Sequence, residues 1–179
     1  MMKKLHVVLG MLLCCLFVLA GCGKSATEEA AVNVDLNEVM TKIREAYGEN
    51  YLPNAAIDNQ MLQDMFGLDL TLIEEAVAEM PMIGFHPDRV IVIKAVEGKG
   101  EDVEAQLTAL RTTLVEDSFQ YPANIAKTEA SQVVRHGDYV AFLLVGAPND
   151  NMDASEEEQL KFAQEETQKA VDAFNSFFE

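Results

Sequence analysis

Tryptophan is absent from this chain, and cysteine, proline and positive charge are scarce. The 179 residues hold three Cys and five Pro, with 13 Lys plus Arg against 30 Asp plus Glu. A formal net charge of −17 argues against a nucleic-acid partner, which needs a positive field to displace counterions. It also argues against a domain lying flat on an anionic membrane. Long apolar runs are scarce too. One runs from Val7 to Leu19, about 13 residues, short of the roughly 20 that span a bilayer.

The flanks of that run are informative. Lys3 and Lys4 precede it and small residues come after it, the layout of a secretory signal peptide over residues 1–21. Leu19-Ala20-Gly21-Cys22 resembles the bacterial lipobox, whose cysteine is lipidated and becomes the first mature residue. That resemblance implies a lipid anchor on Cys22, with the protein held extracytoplasmically at the outer face of the cell membrane. Two acyl chains hold a protein stably, where one binds marginally.

Cleavage before Cys22 would leave 158 of the 179 residues and remove Lys3 and Lys4 but no carboxylate, moving the net charge from −17 to −19. Cys14 and Cys15 leave with the leader, so the mature chain has no possible disulfide. Its length is that of one domain, able to bury roughly 68–70% of its unfolded surface. Residues 22–34 are small, polar and aperiodic and read as a tether. Residues 35–179 read as one domain.

Within that domain, Asp35 and Glu38 have capping-box spacing, and Leu36, Val39, Met40, Ile43 and Tyr47 keep helical spacing up to Gly48. A short helix is expected from Asp58 to Gly67, and Thr71 with Glu74 is placed to cap a further turn. Ala76–Ile83 is ambiguous, because Pro81 forbids a helix interior but tolerates an edge strand. Val90-Ile91-Val92-Ile93 predicts a strand covered on both faces. Val103, Leu107, Leu110 and Leu114 form a helical stripe that Tyr121-Pro122 breaks. Val133–Val145 reads as a hairpin turning at His136-Gly137-Asp138. Ser155 and Glu158 open a last helix that carries Phe174 and Phe177. The expected fold is α+β: an antiparallel sheet of about four strands, in two hairpins, packed with helices in the order ααββαββα.

Few residues carry chemistry. His86-Pro87-Asp88 and His136-Gly137-Asp138 each set a histidine near a carboxylate, which suits proton transfer or metal binding. A zinc site wants a third ligand, and spacing supplies none. Asp88 and Asp138 are expected instead to bond local backbone amides in turns. Asn149–Glu158 is acidic, but Ala154 and Leu160 stand where a calcium loop needs glycine and a bidentate acid. No nucleophile elbow, phosphate loop or dinucleotide fingerprint occurs, and no cofactor is expected. Met61, Met65, Phe66, Met80, Met82 and Phe85 form a methionine-rich stretch that fits a core or an adaptable binding groove.

Several of these segments together match a known pattern. They are Glu79-Met80-Pro81-Met82-Ile83, the strand Arg89–Lys94, the helix ending at Tyr121-Pro122, Gly137-Asp138-Tyr139-Val140 and Ala170-Val171-Asp172-Ala173-Phe174. In order and spacing they resemble the bacterial lipoprotein family of the domain of unknown function DUF4358. The resemblance runs from about Leu36 to the C-terminus. It implies a Gram-positive source and supplies no activity, ligand or site residue.

The function expected from these residues is binding without catalysis: a tethered domain recognising an envelope protein or a small ligand. The alternative is an envelope hydrolase or metal-dependent enzyme using His86, His136 and nearby carboxylates. It requires those histidines to converge.

Overall fold

Helix α1, Leu36–Tyr47, starts where Asp35 accepts a hydrogen bond from Asn37 N–H at 2.8 Å. Leu36, Val39, Met40, Ile43 and Tyr47 make its buried stripe. It stops at Gly48, whose φ of 54° is open to glycine at little cost. The computed structural model describes residues 33–83, 86–116, 121–151 and 153–179. Asn33–Glu179 forms one compact unit. The expected signal peptide, Cys22, most of the tether and Phe85 lie outside the described residues.

Strand β1 is Ala55–Ala56; after it come α2, Asn59–Asp64, and a short 3-10 turn at Leu70–Leu72. Next are β2, Ile73–Met80, and β3, Arg89–Ala95. Helices α3, Gly100–Glu116, and α4, Pro122–Glu129, lead to β4, Gln132–His136, β5, Tyr139–Leu144, and α5, Glu156–Asn175. The sheet order is β1-β2-β3-β5-β4, every neighbour antiparallel. The two expected hairpins are β2–β3 and β4–β5, and they join through β3–β5.

The fold is α+β, as the periodicities predict, with two corrections. The sheet has five strands rather than about four, because Ala55 and Ala56 pair with Met80 and Glu79. Two alanines carry no alternation, so only their partner defines them as a strand. The second correction is α4. The expected helix is over by Glu116, and beyond it Pro122 opens a further helix that was not expected. Proline is favoured at the first helical position, where its missing N–H has no partner to lose. The element order is therefore αβαββααββα. Asp69, not Thr71, caps the turn before β2, by accepting from Thr71 N–H at 2.9 Å.

Both faces of β3 and β5 are buried. Val90, Val92, Ala141, Leu143 and Val145 face α1 and α5. Ile91, Ile93, Val140, Phe142 and Leu144 face α2 and α3. Alternation sends successive side chains to opposite faces, so a continuous apolar run needs a layer on each side. The sheet is a filling between two helical layers.

Candidate functional site

The two histidines lie at opposite ends of this sheet. His86 precedes β3 at Arg89, which pairs with Leu144, while His136 ends β4 and pairs with Tyr139 at the other end of β5. Tyr139 to Leu144 is about 17 Å of strand. The structure therefore does not bring His86 and His136 together. Among the described residues no group of three or more His, Cys, Asp or Glu is gathered for a metal ion.

At the hairpin end, the candidate groups are occupied by packing. His136 stacks on Phe178 with ring centroids 4.5 Å apart, and its Nε2 lies 2.9 Å from Asn175 Oδ1. Phe177 and Phe178 close over the core formed by α1, α5 and the sheet. Asp138 accepts from Gly98 N–H at 2.9 Å and Gly100 N–H at 3.0 Å. These amides are distant in sequence, not local. The carboxylate ties the hairpin to the start of α3 and satisfies amides that a helix leaves open. Gly137 supplies the positive φ of the turn at 58°.

At the other end, ionisable side chains are gathered in the layer that α1 and α5 cover. Asp88 is fully buried. Lys127 of α4 brings Nζ to 2.5 Å from Asp88 Oδ1 and donates to Gly146 O at 2.6 Å. Charge rather than an aligned hydrogen bond joins the pair, since neither Asp88 oxygen has a hydrogen-bond partner of good geometry. Burial pushes the Asp88 carboxyl above the usual carboxylate range, and Lys127 pulls the other way. His86 Nδ1 accepts from Asp88 N–H at 3.3 Å and stands 3.6 Å from Asp88 Oδ1. Desolvation lowers its pKa.

A second polar group adjoins the first. Arg44 donates to both Glu79 oxygens, at 2.5 and 3.2 Å, and Tyr51 OH donates to Glu79 at 3.0 Å. The Glu79 bond raises the Arg44 pKa, and burial raises that of Tyr51. Tyr47 OH donates to Glu166 O at 2.7 Å, and Glu166 accepts from Ala147 N–H at 3.0 Å. Sequence reasoning missed Lys127, Glu79 and Glu166. Each is a charged residue on an otherwise ordinary helix or strand, and no spacing rule marks it.

The methionine-rich stretch divides. Met61, Phe66 and Met80 pack into the core beneath α2 and α3. Met65 and Met82 are exposed. The acidic loop before α5 does what a helix entry needs. Asn149 and Asn151 side chains accept from the backbone two residues on, and Ser155 with Glu158 completes a capping box.

As chemistry, the site offers a buried ion pair, a neutral histidine and a carboxylate clamped by arginine and tyrosine. No helix among the described residues is long and apolar enough to cross a membrane. No curated protein and no solved structure matches the chain. A family model does match, over residues 46–145, a span that runs from the end of α1 through β5 and takes in Asp88, Lys127 and the Asp138 turn. That span is more than half of the sequence, and the chain belongs to the family of the domain of unknown function DUF4358.

Proposed function

We propose that this protein is a lipid-anchored envelope protein whose folded unit binds a protein or small ligand and catalyses nothing. The observation that carries it is Leu19-Ala20-Gly21-Cys22 directly after an apolar run and a lysine head. In this reading residues 1–21 are removed, Cys22 is acylated, residues 22–34 are a tether and the rest is the binding domain. The binding half of the reading is supported by how the ionisable groups are spent. Asp138 caps a helix, His136 is stacked, and Asp88 is sealed against Lys127. None of these three is left poised over a cleft. A membrane reached through lipid is the first partner, and an envelope protein or small ligand the second.

Intact mass of the purified protein tests the anchor. The expected result is a chain beginning at Cys22 with an added diacylglyceryl group. A C22A variant is expected to leave the membrane fraction. An unmodified chain that still begins at Met1 would overturn the reading.

A further inference from the structure

Strand β4 is an edge of the sheet, with β5 as its one neighbour. The hairpin fixes which of its backbone groups are used. Asp138 O accepts from Ala95 N–H at 2.8 Å, so Asp138 faces β3. Backbone direction alternates along an antiparallel strand. Tyr139, Ala141 and Leu143 therefore face β4, where they meet His136, Val134 and Gln132. The residues between, Val133 and Arg135, point N–H and C=O away from the sheet. Among the described residues nothing bonds these outward groups. The open stretch is bounded at both ends. Ser131 N–H donates to Thr128 O, and Ser131 O accepts from Arg111 Nε at 2.6 Å. Gly137 O accepts from the Arg135 side chain at 3.3 Å.

Unpaired backbone on an edge is a template for another strand, and folded proteins guard it with shortness, proline or charge. The other edge is guarded. β1 is two residues long and follows closely on Pro53. β4 has five residues and no proline. Every one of them keeps part of its surface in water, whereas every residue of β5 is buried. Arg135 is the one Lys, Arg, Asp or Glu in β4. Its Nε donates to Glu104 of α3 at 2.7 Å, so its charge is drawn onto the helix face and neutralised there.

We propose that this edge docks a second copy of the chain, β4 against β4, antiparallel about a two-fold axis at Val134. The open groups are symmetric about Val134, so Val133 of each copy meets Arg135 of the other and each such pair exchanges two hydrogen bonds. The facing side chains agree with that register. Val134 meets Val134, and Gln132 meets His136. β4 holds no carboxylate, so two copies of a chain at −17 meet here without like charges directly opposite. The two five-stranded sheets become one continuous sheet. Five residues of edge are small beside the roughly 1,200–2,000 Å² of a stable interface, so the dimer is weak and concentration-dependent.

Sedimentation equilibrium of the full chain in detergent is the first test, and a reversible monomer–dimer equilibrium is expected. V133P is expected to weaken it by at least about tenfold, since each dimer loses two hydrogen bonds. Proline at this position costs the sheet no bond, because Val133 N–H faces away from β5. V134C gives an independent reading that stands even if V133P does not fold. On the axis the two cysteines are directly opposite, and oxidation of intact cells with copper phenanthroline is expected to link them into a homodimer. A protein that stays monomeric would overturn the inference. So would folded V133P that dimerises as tightly as the unaltered protein, or V134C linked no more than the unaltered protein. V134C linked instead to a different protein would give the edge to a foreign strand and overturn it as well.

Discussion

Lys127 Nζ lies 2.5 Å from Asp88 Oδ1, and both side chains are withdrawn from water. The pair links the short helix α4 to the mouth of the sheet. The attraction between two buried charges offsets much of their desolvation, and removing one partner strands the other without that compensation. Replacing Lys127 alone with Met leaves Asp88 buried and unpaired. K127M is expected to lower the unfolding free energy by about 3–5 kcal/mol, read from urea denaturation. The double variant D88N/K127M is expected to recover most of that loss. A double variant no more stable than K127M would show that the pair is not what matters.

His86 gives a pH dependence whose sign is set by its environment. Desolvation lowers its folded pKa below the unfolded value of about 6.5. The unfolded chain then binds the proton more readily than the folded one. The contribution is therefore present above about pH 6.5 and is lost as pH falls toward the folded value. Urea midpoints of the unaltered protein are expected to drop between neutral pH and pH about 5.5 by more than those of H86N. Identical slopes would mean that His86 is as hydrated folded as unfolded.

Gly100 has no room for a side chain. A Cβ there would sit 2.1 Å from Gly137 O and 3.0 Å from Asp138 Cα, both backbone atoms that cannot swing aside. G100A is expected to part the hairpin from α3 and cost about 1–3 kcal/mol. D138A, which removes the acceptor for the Gly98 and Gly100 amides, is expected to cost about 1 kcal/mol. Thermal melts should order the two, with G100A the lower. The reverse order would say that the amides matter more than the close approach.

Ser155 accepts from Glu158 N–H at 3.3 Å while Glu158 accepts from Ser155 N–H at 2.8 Å. Both bonds are lost in S155A or weakened by it, and a cost of about 1 kcal/mol is expected. The readout is the melting temperature, expected to fall by roughly 2–4 °C for a domain of this size. No change would mean that α5 is held by packing alone.

Local patterns in the sequence carried much of this fold. The β-branched run at Val90–Ile93, the hairpin around Gly137 and the helices at Leu36 and Glu156 all rest on neighbours within a few residues. Hydrophobic period and cap chemistry are local, so they are legible in a single chain. Tyr121-Pro122 was legible as a break but not as a start, because proline suits both and only the residues downstream decide whether a helix follows. Ala55–Ala56 was illegible because a two-residue strand exists only through its partner.

The candidate site was legible only in its histidines. Sequence alone determined that His86 and Asp88 are neighbours, that the chain is acidic and that its cysteines lie near the N-terminus. Only the tertiary structure decided that Asp88 faces Lys127, that Asp138 caps a helix opened 38 residues earlier, and that Arg89 lies over Phe66 without a hydrogen bond or ion pair. The reason is physical. A hydrogen-bonded turn is closed by residues a few places apart. A buried charge takes its partner from whichever element the sheet brings alongside, and strand order sets that.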